Sequence, residues 1–231
     1  MRRIVQFSTG NVGRHSLQAI IGRPDLELVG VHAANPDKIG RDAAELCGLS
    51  EPTGVIATDD IDALIALKPG CVVYTALGET RPMEAIDQMS KLLAAGIDVV
   101  GTSMVWLVTP HQADDWLRVP LEEACAAGNS SLYVNGIDPG FSGDTAVHAA
   151  LSLVTRAESV TVQEIFDYGN YDDYEYTGTA MGSAGSRWRL ADGVPAGRDH
   201  VTVRRIGTQS RPPPRGGTRG SSSAVRAVVH G

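Results

Sequence analysis

Six short apolar runs recur along the first 155 residues, and most are separated by enough chain for a helix. They span 4–7, 26–32, 55–58, 71–76, 97–101 and 131–135, each bounded by turn-forming residues, and each reads as a strand. Between them, Leu17, Ile20 and Ile21 share one helical face, and Ile86, Met89 and Leu93 share another; core packing accounts for both stripes. In TDDIDALIAL, Thr58 or Asp59 is placed to cap a helix whose first turn is acidic, which suits the helix dipole. Strands alternating with helices predict βαβ units, so the fold class expected is α/β, a doubly wound parallel sheet. After residue 131 the loop NGIDPGFSGD leads into a further helix with Val147, Ala150, Leu151 and Val154 on one face.

Composition divides the chain of 231 residues unevenly. Through Gly182 there are 11 Lys plus Arg against 25 Asp plus Glu, whereas residues 183–231 carry nine Arg and no Lys against two Asp. In that last segment Arg, Gly, Ser and Pro occupy 27 of 49 positions, too few apolar groups to offset the entropy of ordering it. The expected domains are therefore 1–155, 156–182 and a disordered tail, 183–231. The tail reads as a reading-frame accident in a GC-rich gene. Its basic charge alternatively points to nucleic acid, although no aromatic residues are interleaved with the RGG. No run of eighteen apolar residues and no apolar signal core is present, so a cytoplasmic protein is expected. Cys47, Cys71 and Cys125 are scattered without metal-ligand spacing and read as structural thiols, with no metal expected.

The turn after the first run carries chemistry. Set against G-x-G-x-x-G, it reads Ser8, Thr9, Gly10, Asn11, Val12, Gly13, after a strand and before a helix. Gly10 allows backbone to approach a pyrophosphate, Gly13 allows helix to pack on strand, and the amides at the helix start hold the negative charge. Ser8 stands where the first glycine belongs, which is tolerable if its φ stays negative. An ordinary strand-to-helix turn is the plain alternative. Arg14 and His15 lie near such phosphates or are merely solvated. At the end of the second run the residues are His32, Ala33, Ala34 and Asn35, with no carboxylate until Asp37 and with Lys38 and Arg41 following. An uncharged strand end beside cations suits a 2′-phosphate, so the cofactor expected is NADP or NAD. Thr75 and Ala76 with Gly101, Thr102 and Ser103 are expected to line the nicotinamide side. In the loop after the sixth run, Gly136 and Gly140 permit close approach, and Asn135 and Asp138 are candidates to hold the carboxamide or the substrate; a tight turn explains the glycines as well.

The stretches FSTGNVGRHSLQAI, NPDKIGRDAAELCGL, VVGTS, LYVNGIDPGFSGD and VTVQEIFDYGNYDDYEYTGTAMG together resemble the actinobacterial relatives of dihydrodipicolinate reductase grouped with 2,4-diaminopentanoate dehydrogenase and the native amine dehydrogenases. The resemblance covers about residues 1–182. It implies a Rossmann domain binding NAD(P), the beginning of an α+β C-terminal domain that supplies substrate pocket and dimer contact, and reversible oxidative deamination of a small amine. The paired-histidine and lysine signature and the Ser-Gly-Thr loop of dihydrodipicolinate reductase proper are not found. The glutamate that the amine dehydrogenases carry after the fifth strand is also missing, and Met104, Val105 and Trp106 stand there. His111 and Asp138 are then the nearest candidate proton carriers, with a plain place in an exposed helical turn and in an Asp-Pro-Gly turn as alternatives.

The cluster of tyrosines and carboxylates between Asp167 and Tyr176 is suited to a cationic amine, or to a solvated edge. Three functions follow: an NAD(P)-dependent oxidoreductase, intact or crippled, acting on a small amine, imine or carbonyl compound; a nucleotide-binding protein without chemistry; or a nucleic-acid binder acting through its tail.

Overall fold

Four consecutive residues, Ile4 to Phe7, are buried in the first strand (β1, Arg2–Phe7), as a strand covered on both faces requires. In a computed structural model, which describes residues 1–157, 160–166, 200–205 and 225–227, the chain divides into two units, Met1–Phe141 and Ser142–Gly231. The first unit continues with α1 (Asn11–Ile21), β2 (Leu26–His32), α2 (Ala43–Cys47), β3 (Ala57–Thr58), α3 (Ile61–Ala66), β4 (Cys71–Tyr74), α4 (Pro82–Ala94), β5 (Asp98–Gly101), α5 (Asp115–Gly128) and β6 (Leu132–Val134). All six strands are parallel, in the order β3-β2-β1-β4-β5-β6. This is the doubly wound Rossmann-type sheet expected from the alternation of runs.

Two apolar layers sandwich the sheet. Leu17 of α1 and Ala43, Leu46 and Cys47 of α2 pack with Val31 and Ala57 on one side. On the other, Leu64 of α3, Met89 and Leu93 of α4, and Leu117 and Leu121 of α5 close over Val5, Val72 and Val99. The helical stripes at Leu17 and Ile20 and at Ile86, Met89 and Leu93 are thus core, while Ile21 is half-buried.

Three local expectations shift. The cap of α3 is Asp60, whose Oδ1 accepts the Ala63 amide at 3.0 Å, not Thr58 or Asp59. Thr58 is the last residue of β3, paired with His32, and its hydroxyl oxygen accepts the Asp60 amide at 3.1 Å, which sets the chain up one residue later. The run 55–58 gives only two sheet residues, because Ile56 bridges to Asp42 instead and the Asp42 carboxylate gathers the amides of Thr53 and Gly54. The helix after the sixth strand, α6 (Ala146–Leu151), ends early. Leu153 and Val154 donate to Ala150 and Leu151 in tighter turns, leaving Val154 outside the helix and exposed.

In the second unit Val147 of α6 and Val160 are buried together. There β7 (Val160–Phe166) runs antiparallel to β8 (His200–Arg205) and parallel to β9 (Val225–Ala227). The cluster 167–176 and most of the arginine-rich segment lie outside the described residues. Among the described residues no helix is long and apolar enough to cross a membrane. All three cysteines are free thiols, and burial raises the pKa of each.

Leu93, fully buried between α4 and the sheet, anchors the first unit. Leu93→Ala is expected to remove about 3 kcal/mol of stability in chemical denaturation. Met83→Ala, on the exposed side of the same helix, is expected to change it by less than about 0.5 kcal/mol.

Candidate functional site

The carboxyl ends of the strands form one continuous row: Thr58, His32, Phe7, Tyr74, Gly101 and Val134 are successive register partners. Chain direction reverses its progress across the sheet at β1, flanked by β2 and β4, so a crevice opens above Phe7. His32, Phe7 and Tyr74 stack across that point, with ring centroids 3.8 Å and 4.8 Å apart. The Tyr74 hydroxyl donates to Gln88 Oε1 at 2.7 Å, and burial raises its pKa.

Immediately above the row lies the turn Ser8–Gly13. Ser8 adopts a φ of +80°, so the condition that would make a serine easy to accommodate there, a negative φ, is not met. The chain must reverse between Phe7 and α1 within three residues, and the left-handed conformation that glycine would supply is imposed on a serine, which costs about 1 kcal/mol. Its amide donates to the His32 carbonyl at 3.1 Å, and its carbonyl accepts Gln6 Nε2 at 2.9 Å. Gly13 is buried in the first turn of α1. A Cβ there would meet the Ser8 carbonyl carbon and Thr75 Oγ1, each at 2.9 Å, so helix rests on turn only because the side chain is absent. Gly10 is exposed, with only Ser8 Oγ near a notional Cβ at 3.9 Å. It occupies the N-cap of α1 in extended conformation, and no side chain caps the helix. Thr9 is buried, and Asn11 and Val12 are exposed on the opening turn. An uncapped helix start behind a left-handed residue is a concave set of amides suited to an anion.

Two further residues hold this turn, and sequence reasoning overlooked the first of them. Gln6 is fully buried; its Nε2 also donates to Phe7 O at 3.2 Å and Thr75 Oγ1 at 2.8 Å, while its Oε1 accepts the Ser16 hydroxyl at 2.6 Å. A lone polar residue inside IVQF was the available signal. Lys38, expected only as a neighbouring cation, donates from Nζ to the Thr9 carbonyl at 2.7 Å and so joins the segment after β2 to the turn. Asn35 is exposed, its Oδ1 accepting the Asp37 amide at 2.9 Å, and Arg41 is paired with Glu45 at 2.6 Å. Arg14 and His15 line a cavity of about 410 Å³ with Gln18, Glu45 and Cys47.

On the other side of the crevice, Thr75 extends the ladder through its amide to Phe7 O at 3.0 Å, and Thr75 and Ala76 are half-buried. Gly101 is buried, and the exposed Thr102 donates its amide to Tyr74 O at 3.2 Å. The buried Ser103 accepts the Gly78 amide at 3.0 Å, and Glu79 Oε1 accepts the Val105 amide at 3.1 Å, lacing the loops after β4 and β5 together. Glu79 is a carboxylate that sequence reasoning passed over, since it follows a different strand from the one searched. Met104 fills the space beneath, fully buried in left-handed conformation. Asn135 donates its amide to Gly101 O at 2.9 Å, and its own Oδ1 accepts the Gly136 amide at 3.1 Å.

The two candidate proton carriers are not brought into this cluster by any described contact. His111 is exposed in a short 3-10 turn, Pro110–Gln112, rather than in a helix. The backbone of Asp138 lies in the π-helical stretch Ile137–Thr145, and its side chain lies outside the described residues.

Comparison with known proteins adds relatives of known name. The chain is 40% identical over 168 residues to an amine dehydrogenase from Streptomyces virginiae, a match covering 73% of this chain and 47% of that one. It is 35% identical over 108 residues to a 4-hydroxy-tetrahydrodipicolinate reductase from Mastigocladus laminosus, covering 43% of this chain and 37% of that one. Over those residues the chain is similar in sequence to these dehydrogenases and reductases. It spans about half the length of the first relative and less of the second. No family model matches. In fold it is similar to the amine dehydrogenase structure from Mycobacterium smegmatis, with a TM-score of 0.62 at 19% identity over 71% of this chain and 47% of that one.

Burial depresses the pKa of the His32 imidazole below its ordinary 6.5, against a smaller upward pull from Asp59. The unfolded chain therefore binds the proton more readily, and stability is complete above about pH 6.5 and falls as the pH drops through that value. Thermal midpoints measured between pH 7.5 and 5.5 are expected to decline in the wild type and to decline less in His32→Phe, which keeps the stack.

Proposed function

We propose that the chain is an NAD(P)-dependent oxidoreductase, whose first unit grips the dinucleotide diphosphate on the amides of Gly10 to Gly13. The observation that carries this reading is the Ser8–Gly13 turn. It stands at the switch point of the sheet, holds a residue at positive φ, closes on a glycine that tolerates no Cβ, and opens a helix that no side chain caps. Relatives named amine dehydrogenase and 4-hydroxy-tetrahydrodipicolinate reductase support the same reading. The cofactor is NADP or NAD. Lys38, pinned at Thr9 next to a strand end without a carboxylate, favours a 2′-phosphate.

With NAD(P) bound, the nicotinamide supplies hydride chemistry at a carbon bearing nitrogen or oxygen. This chain's own part is to seat the ring between Thr75, Ala76, Gly101, Thr102 and Ser103 and the Asn135 loop. The substrate is a small amine, imine or carbonyl compound, and the setting is the cytoplasm. A second reading, dinucleotide binding without turnover, is favoured by one observation: apolar Met104, Val105 and Trp106 follow β5, with Met104 buried. His111 and Asp138 remain the residues we propose for proton transfer.

Titration with NADPH and NADH, followed by nicotinamide fluorescence, is expected to show binding; no binding of either overturns the reading. Turnover across a panel of amines and ketones separates an enzyme from a silent binder. Gly13→Ala is expected to weaken binding more than about tenfold, because the new methyl pushes α1 off the turn. Lys38→Ala is expected to weaken NADPH more than NADH.

A further inference from the structure

We propose that Gln6 is a positioning residue that substitutes for a missing glycine, its buried amide holding Ser8 in the left-handed conformation on which the anion-facing turn depends. A serine does not settle at a φ of +80° by itself. Its neighbours must fix it, and the contacts around it are specific. Ser8 is held at both ends of its peptide unit, by the His32 carbonyl on its amide and by Gln6 Nε2 on its carbonyl.

The direction of the Gln6 amide is dictated by its partners. Phe7 O and Ser8 O only accept, so the nitrogen must face them, and the Ser16 hydroxyl then donates to the remaining oxygen. Thr75 completes the knot, accepting from Gln6 and donating to Phe7 O at 3.1 Å. One side chain thus ties β1, the β4 end and α1 to the carbonyl that Gly13 packs against. With Gln6 absent, Ser8 can relax to negative φ, its carbonyl swings, and the amides of the α1 opening turn lose their common direction. A glycine at the same place needs no such restraint.

This inference rests on the dinucleotide reading of the turn, and a thermodynamic cycle tests it separately from that reading. Gln6→Met, of similar length and without polar atoms, is measured in the wild-type background and in the Ser8→Gly background. Losses of the Thr75 and Ser16 pairings are common to both, so the difference isolates Ser8. NADPH affinity is expected to fall about tenfold in the first background and less than about twofold in the second. Equal losses in both, or no loss in the first, overturn the proposal and leave Gln6 a packing residue.

Should Gln6→Met fail to fold, recovery of the fold on adding Ser8→Gly supports the proposal, and failure to recover overturns it. If the wild-type chain binds neither NADPH nor NADH, the oxidoreductase reading fails by itself. The same cycle is then read from thermal midpoints, where a smaller loss in the Ser8→Gly background supports the role of Gln6 and an equal loss overturns it.

Discussion

The buried amide of Gln6 is the constraint from which the rest of the first unit follows. A polar side chain at the centre of a parallel sheet is costly unless each of its atoms finds a partner. Here Nε2 and Oε1 are both engaged, and the four partners come from three places in the sequence: Phe7 and Ser8, Ser16, and Thr75. Satisfying that one group therefore fixes the end of β1, the start of α1 and the exit of β4 relative to one another. The aromatic stack of His32, Phe7 and Tyr74 lies under this knot and keeps water from it. The floor of the site is built of groups paired with one another.

The same logic explains why the crevice belongs at β1. In a sheet ordered β3-β2-β1-β4-β5-β6, connections leave β1 toward one edge and resume at β4 toward the other, so adjacent loops part only there. The loop after β2 reaches over through Lys38, and the loop after β4 is held to that after β5 by Ser103 and Glu79. The two flanks are thus separately braced, and the gap between them is a property of topology rather than of any one side chain.

How much of this was legible in the sequence depended on how local each determinant is. The six strands and the principal helical faces are written in apolar periodicity, which burial on both sides of a parallel sheet forces on the chain, and they were read correctly. Gly13 was legible because its spacing from β1 carries its meaning. The φ of Ser8 was not, since a dihedral set by Gln6 and by the His32 carbonyl from another strand leaves no mark at position 8. The cap of α3 moved by one residue because Thr58 was claimed by β3, a competition that local propensity does not register. Glu79 was missed for a related reason: its carboxylate meets the loop after β5 although its sequence position belongs to β4.

That last contact bears on what kind of catalyst the crevice can support. Holding a diphosphate needs backbone amides, a close helix and a cation, and the described residues bring these together in Gly10 to Gly13 and Lys38. Moving a proton needs an ionisable group facing the reacting carbon. Met104, Val105 and Trp106 in the loop after β5 are apolar, His111 is exposed on a separate turn, and the Glu79 carboxylate spends one oxygen on the Val105 amide. The proposed function therefore divides binding and chemistry between different parts of the carboxyl edge. On the proposed oxidoreductase reading, a substitution in the Ser8–Gly13 turn acts on affinity, whereas the loops after β4, β5 and β6 decide whether a bound dinucleotide is used.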